Sequence, residues 1–110
     1  MPQGGTFKWE DATPVEMLPG LIRRTLGYTD DLMVVEFQSE ASVVVPLHTH
    51  PHDQVGYMVS GDMDITIDGV TKRVGPGDSY FIPGDVEHGA TFVTECLVID
   101  AFTPPREDYL

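Results

Sequence analysis

Eleven glycines and nine prolines interrupt this chain of 110 residues at short intervals. The pieces between them alternate apolar with polar residues, and almost none repeats at the spacing of a helix. Strands are therefore expected at Ile22 to Tyr28, Leu32 to Phe37, Ala41 to Leu47, Val55 to Ser60, Met63 to Ile67, Val70 to Val74, Ser79 to Ile82, Glu87 to Thr91 and Leu97 to Phe102. Asp68-Gly69 is a favoured two-residue hairpin turn, and Gly61-Asp62, Pro76-Gly77-Asp78 and Pro83-Gly84-Asp85 mark further reversals. Short antiparallel strands at this spacing imply an all-β sandwich or barrel, whose rolled sheets hide their edges. Residues 1–20 read as an arm with little regular structure, with Trp9, Met17 and Leu18 placed to dock on a barrel formed by residues 21–110. The tail from Thr103 onward leaves the sheet, because Pro104 and Pro105 cannot join a ladder.

Within this β pattern, three of the four histidines fall in five positions, His48, His50 and His52, directly after the apolar run Val43-Val44-Val45. On a continued strand His48 and His50 point the same way. Two imidazoles facing one interior, joined by one or two further donors, can hold a divalent transition metal. The lone His88, about forty residues on, is the candidate to join them. Pro51 breaks the strand geometry beside His52, which leaves a rim position and coordination equally open.

Charge narrows the partners. Eighteen acidic against six basic residues give a net charge of -12, which disfavours nucleic acid and anionic membrane surfaces. An anionic small molecule could enter only a locally positive pocket, made by a metal cation and one of the basic side chains. No apolar run approaches the roughly 18–20 residues of a membrane span, and no signal peptide is visible at the N-terminus. The single cysteine, Cys96, sits among Leu97, Val98 and Ile99 and reads as a buried thiol in a reducing cytoplasm.

The last strand carries Val98, Asp100 and Phe102 on one face. An inward Asp on so apolar a strand is costly unless it is paired or used, and general acid/base work is one use. The alternative is an Asp at the open end of the strand, solvated or capping a turn. Arg106, stiffened by the two prolines, suits a bidentate grip on a carboxylate; it could equally pair with Glu107 or Asp108. Arg23 and Arg24 are adjacent on a strand, so at most one can face the cavity.

The spacing also resembles a known family. His48-x-His50, three residues to Gln54 and six more to Gly61 is similar to the first cupin motif, with Gln54 where the family usually has Glu. Gly77-Asp78, Pro83 and His88 resemble the second motif. The pattern departs at Ser42 and Asp85, where the motifs have Gly, and at Phe92, where they have Asn. The resemblance implies a double-stranded β-helix, or jelly-roll barrel, holding one divalent transition metal ion on His48, His50, Gln54 and His88. Such imidazole-rich sets suit Ni, Zn, Mn, Fe or Cu. With a neutral amide in place of a carboxylate, the ion's charge stays uncompensated, which favours a Lewis acid or anion receptor.

His48-x-His50-Pro51-His52-x-Gln54, together with Phe102 and the tail that follows it, resembles the KdgF group of small cupins from bacterial pectin and alginate breakdown. That resemblance implies conversion of 4,5-unsaturated monouronates to linear 4-deoxy-5-keto sugar acids, with Asp100, Phe102 and Arg106 as the catalytic and substrate-contacting residues. It also implies a small anionic sugar-acid substrate and, as in many cupins, a homodimer, with residues 1–20 available for strand exchange. Two other readings fit the same residues: a cupin dioxygenase using a redox metal, and a non-catalytic metal-dependent binder of sugar acids or other metabolites.

Overall fold

The computed structural model describes residues 3–110. Among these residues ten strands are present: β1 (Val15–Leu18), β2 (Leu21–Tyr28), β3 (Met33–Ser39), β4 (Val44–His48), β5 (Asp53–Ser60), β6 (Met63–Ile67), β7 (Val70–Val74), β8 (Ser79–Ile82), β9 (His88–Phe92) and β10 (Cys96–Thr103). They form two antiparallel sheets, one of six strands in the order β1-β2-β3-β10-β5-β8 and one of four in the order β4-β9-β6-β7. The all-β sandwich or barrel expected from the turn spacing, and the jelly roll that the cupin resemblance implies, are therefore the observed architecture. Strands β6, β7 and β8 have the expected bounds.

Alternation decides what each strand contributes to the space between the sheets. Gln54, Gly56 and Met58 point inward from β5; Tyr80 and Ile82 do so from β8; Val98, Asp100 and Phe102 do so from β10. Methionine fills much of the centre, where Met33, Met58 and Met63 are almost fully buried. Asp68 and Gly69 both have positive φ in the β6–β7 turn, which matches the right-handed twist of the hairpin.

The N-terminal segment differs from expectation. It carries β1, which pairs with β2 through Val15 opposite Arg23 and Glu16 opposite Ile22. Its docking residues behave as expected: Met17 and Leu18 pack on the core. The Trp9 indole donates to the Glu36 carboxylate at 3.0 Å, and the Arg24 guanidinium lies 4.4 Å from the centre of the Trp9 ring. Alternation missed β1 because its few residues end at the Pro19-Gly20 turn.

The tail returns to the roll through Tyr109, which packs with Met33, Val35 and Phe102. Burying such a ring stabilises by roughly 1.5–3 kcal/mol. The Arg106–Asp108 pair beside it has an Asp108 side chain 60% exposed and contributes about 0–1 kcal/mol. Packing, rather than the ion pair, holds the tail down.

Candidate metal centre

A bulge delivers the first histidine. Val43, just before β4, and Val45 on it face the core, so unbroken alternation would turn His48 outward with Val44. The register between β4 and β9 shifts between Val45 and His48, across Pro46 and Leu47, and the shift brings His48 opposite His88. Gly89 makes room for it, since a Cβ there would come within 2.8 Å of the Val45 carbonyl oxygen. Proline is tolerated here because β4 is an edge strand.

His50 lies beyond the end of β4, in the loop before β5, and not on a continued strand as the spacing suggested. A second loop clamps it. The Asp85 amide donates to the His50 carbonyl at 2.8 Å, and the Gly84 amide donates to the Asp53 carboxylate at 2.7 Å. The side chains of His48, His50 and His88 then converge, with one donor atom from each lying within 4.8 Å of the others.

Ring orientation makes the cluster suited to a cation. The Nδ1 atoms of His48, His50 and His88 lie 2.8, 3.1 and 2.9 Å from the carbonyl oxygens of Pro46, His52 and Val86. A carbonyl can only accept, so Nδ1 carries the proton in each ring and Nε2 keeps a lone pair. His88 Nε2 is buried with no hydrogen-bond partner among the described residues. His50 Nε2 faces Gln54 Oε1 at 3.1 Å. The Gln54 side chain also lies beside the Asp100 carboxyl and favours its ionised form. The result is a set of lone pairs facing a common centre, which a cation satisfies and a proton network does not. A divalent ion therefore fits the residues present.

Burial tunes these groups. It pushes the His50 imidazole down to about 4, helped by the nearby positive charge of Arg106. It also lowers His88, against a raising hydrogen bond to the Val86 carbonyl. Both rings are thus kept neutral, the form that binds metal. Asp100 is pushed the other way, up to about 6, by burial, partly offset by hydrogen bonds from Tyr80 and Gln54.

A cavity of about 300 Å³ opens beside this cluster, at the lower end of the range for small-ligand sites. His48, Gln54, His88, Asp100, Phe102 and Arg106 all line it, against an otherwise largely apolar wall. Asp100 is 2% exposed, so the inward alternative holds for its position. The Phe102 ring stands edge-on to His50, with centroids 5.8 Å apart. Arg106 reaches the cavity and also makes the local pair left open by the sequence: its Nε and Nη2 donate to the two Asp108 oxygens at 3.3 and 3.0 Å. His52 stands outside the three-histidine cluster and contributes its carbonyl to orienting His50.

Several residues near the cavity were not singled out by the sequence. Tyr109 is sandwiched between two guanidiniums, Arg23 at 4.3 Å and Arg106 at 4.1 Å from its ring centre. Arg23 is thus the inward member of its pair, while Arg24 faces out toward Trp9 and Glu36. Tyr80 donates to Asp100 Oδ1 at 2.5 Å. The signal for Tyr80 was its alternation with Ile82, and for Gly56 its place inside a strand; neither had a partner legible in one dimension.

With fold and site in view, comparison with known proteins gives the class. Residues 33–102 match the cupin domain family, and the chain belongs to that family. Within it, the chain is a homologue of KdgF. It is 33% identical over 104 residues to the pectin degradation protein KdgF of Dickeya dadantii (strain 3937), covering 92% of this chain and 94% of that protein. The structure of KdgF from Halomonas sp. superposes with a TM-score of 0.92 at 34% identity, covering 98% of this chain and all of that one. An RmlC-like cupin from Shewanella frigidimarina gives a TM-score of 0.91 at 35% identity, covering 98% and 97% of the two chains.

Proposed function

We propose that this chain is a metal-dependent enzyme that converts 4,5-unsaturated monouronates to linear 4-deoxy-5-keto sugar acids. The observation that carries the reading is the meeting, on one small cavity, of a neutral imidazole-and-amide donor set, a buried carboxyl and a guanidinium. Its likeness to the pectin degradation protein KdgF along nearly the whole chain supports the same substrate class.

His48, His50, Gln54 and His88 would hold the ion. When bound, it supplies a Lewis acid that binds and polarises sugar oxygens. Arg106 grips the substrate carboxylate, through the Nη1 that Asp108 leaves free or by exchanging Asp108 for it. Asp100 moves the proton: with its carboxyl raised to about 6, both protonation states are accessible near neutral pH. Phe102 walls the pocket and excludes water from that carboxyl.

The chemistry needs no more than these parts and water. The unsaturated ring is an enol ether: a proton adds to alkene carbon 4 and a water oxygen to carbon 5. The bond from carbon 5 to the ring oxygen then breaks to leave the 5-ketone, and the gem-diol formed at carbon 1 gives back one water as the aldehyde appears. The product is an isomer of the substrate, so no oxidant or reductant is consumed. Arg106 and the cation also answer the repulsion between an anionic sugar and a chain of net charge -12.

The test is to add metal-replete protein to monouronate freshly released by a polysaccharide lyase and follow the alkene absorbance. Rapid loss of the band, abolished by Asp100→Asn, is the expected result. An unchanged band with fully loaded protein overturns the reading, and oxygen uptake in its place would favour a dioxygenase. The lone buried thiol of Cys96 suits a cytoplasmic location. Pairing of two copies is supported by an apolar row on the outer face of the six-stranded sheet, where Val55, Tyr57 and Phe81 are exposed. Light scattering on wild type and Phe81→Asp tests that pairing.

A further inference from the structure

Gly56 lies between Asp100 on β10 and Tyr80 on β8, in register with both. All three positions face inward, and Gly56 has no side chain to fill the middle of the row. Tyr80 and Asp100 reach across the gap and meet, the phenol donating to Oδ1 at 2.5 Å. A Cβ at position 56 would overlap the Tyr80 ring carbon and hydroxyl and also Asp100 Oδ1. Glycine inside a strand costs stability relative to residues with side chains, so its presence here has a counterpart in the contact it permits.

We propose that Tyr80 is the positioning residue of Asp100, and that Gly56 is the gap through which it acts. This deepens the reading above and rests on Asp100 as its proton carrier. The Tyr80 hydroxyl holds the carboxyl through Oδ1, while Gln54, whose Oε1 faces His50, lies beside it. With Oδ1 engaged by the phenol, the proton exchanged with substrate travels on Oδ2. Tyr80 also ties the carboxyl to β8, which fixes the direction in which the acid faces. The tyrosine ring is part of the hydrophobic core, but packing alone does not require its hydroxyl.

Tyr80→Phe keeps the ring and removes only the donor. The expected result is a fall in kcat of about 10- to 100-fold, the range seen when the partner of a functional group is removed, with KM and bound metal unchanged. Because Tyr80 acts through Asp100, the double variant Tyr80→Phe/Asp100→Asn should be no slower than Asp100→Asn alone. A wild-type kcat in Tyr80→Phe beside an inactive Asp100→Asn overturns the positioning role and leaves the proposed function standing. So does a loss that adds to that of Asp100→Asn. Full activity in Asp100→Asn overturns both. A readout independent of any substrate is a slowly exchanging Tyr80 hydroxyl proton in the NMR spectrum of zinc-loaded protein. It should vanish in Tyr80→Phe and shift in Asp100→Asn, and its absence from the wild type overturns the pairing.

Discussion

His50 Nε2 and Gln54 Oε1 face each other 3.1 Å apart as two carriers of lone pairs. The other nitrogen of His50 is held by the His52 carbonyl, and Gln54 lies beside the Asp100 carboxyl. Replacing the amide with the carboxylate usual at this motif position should therefore split two properties. Gln54→Glu adds a negative charge to the ion's surroundings, so metal should bind roughly tenfold tighter or better, each tenfold being about 1.4 kcal/mol. The same change sets a carboxylate beside Asp100 in place of a neutral amide, so turnover should fall by about 10- to 100-fold. Competition with a chelator and steady-state kinetics on one preparation check both; weaker binding or unchanged turnover contradicts the arrangement.

Low proton affinity at His50 and His88 sets how acid releases the metal. Above pH 6.5 His50 is neutral folded or unfolded; between 6.5 and about 4 only the unfolded chain takes up the proton. Stability from this group is thus present above 6.5 and lost as pH falls through the folded value, and His88 acts in the same direction. Protons compete for the same Nε2 atoms as the ion. The bound metal should persist at pH 6 and leave only as pH falls toward 4. Metal content after equilibrium dialysis across that range is the measurement, and half-release at or above pH 6.5 is the contrary result.

For Asp100 the sign reverses. Its carboxyl titrates at about 6 in the fold against an ordinary value of 3.8. The stability it contributes is complete below 3.8, where both states are protonated, and is lost as pH rises through 6. Asn carries no such penalty. In metal-free protein, Asp100→Asn should therefore gain stability relative to wild type between pH 4 and 7, by up to about 3 kcal/mol. Urea unfolding at the two pH values reads the change, and a constant difference between the proteins counts against the buried, partly protonated carboxyl. A variant more stable yet inactive would show that the site carries its acid at the expense of the fold.

Much of this was legible because two periodicities, the strand alternation and the spacing of His48, His50 and His88, are properties of the sequence itself. The turns at Asp68-Gly69 and Pro83-Gly84-Asp85 could be read from residue type. What could not be read were contacts depending on a change of register or on three strands at once. The Pro46-Leu47 bulge that turns His48 inward, the loop that carries His50, and the Tyr80–Gly56–Asp100 row are of that kind. Arg106 shows a subtler limit. Its place at the cavity and its pairing with Asp108 had seemed alternatives, and a fork of several donors does both.

The motif departures give the last prediction. Gly61 and Gly77 have φ of +84° and +89°, and Ser42 and Asp85, standing where the motifs have glycine, have φ of +71° and +67°. All four positions thus hold the left-handed backbone, which costs an L-residue roughly 1–2 kcal/mol and glycine almost nothing. Asp tolerates it better than Ser, through hydrogen bonds of its short side chain. The amide of Ser42, which donates to the Phe92 carbonyl at 2.7 Å, is kept in a glycine variant. Against this gain, glycine gives back about 0.4–1 kcal/mol through the greater freedom of the unfolded chain. Ser42→Gly should then stabilise by roughly 0.5–1 kcal/mol, equivalent to a few degrees in Tm for a domain of this size. Asp85→Gly should gain less, because the strain removed is smaller. Both lie outside the cavity lining, so metal content and turnover should match wild type while the melting curve moves. A lower Tm in Ser42→Gly would mean that the serine contributes more than its strained backbone takes away.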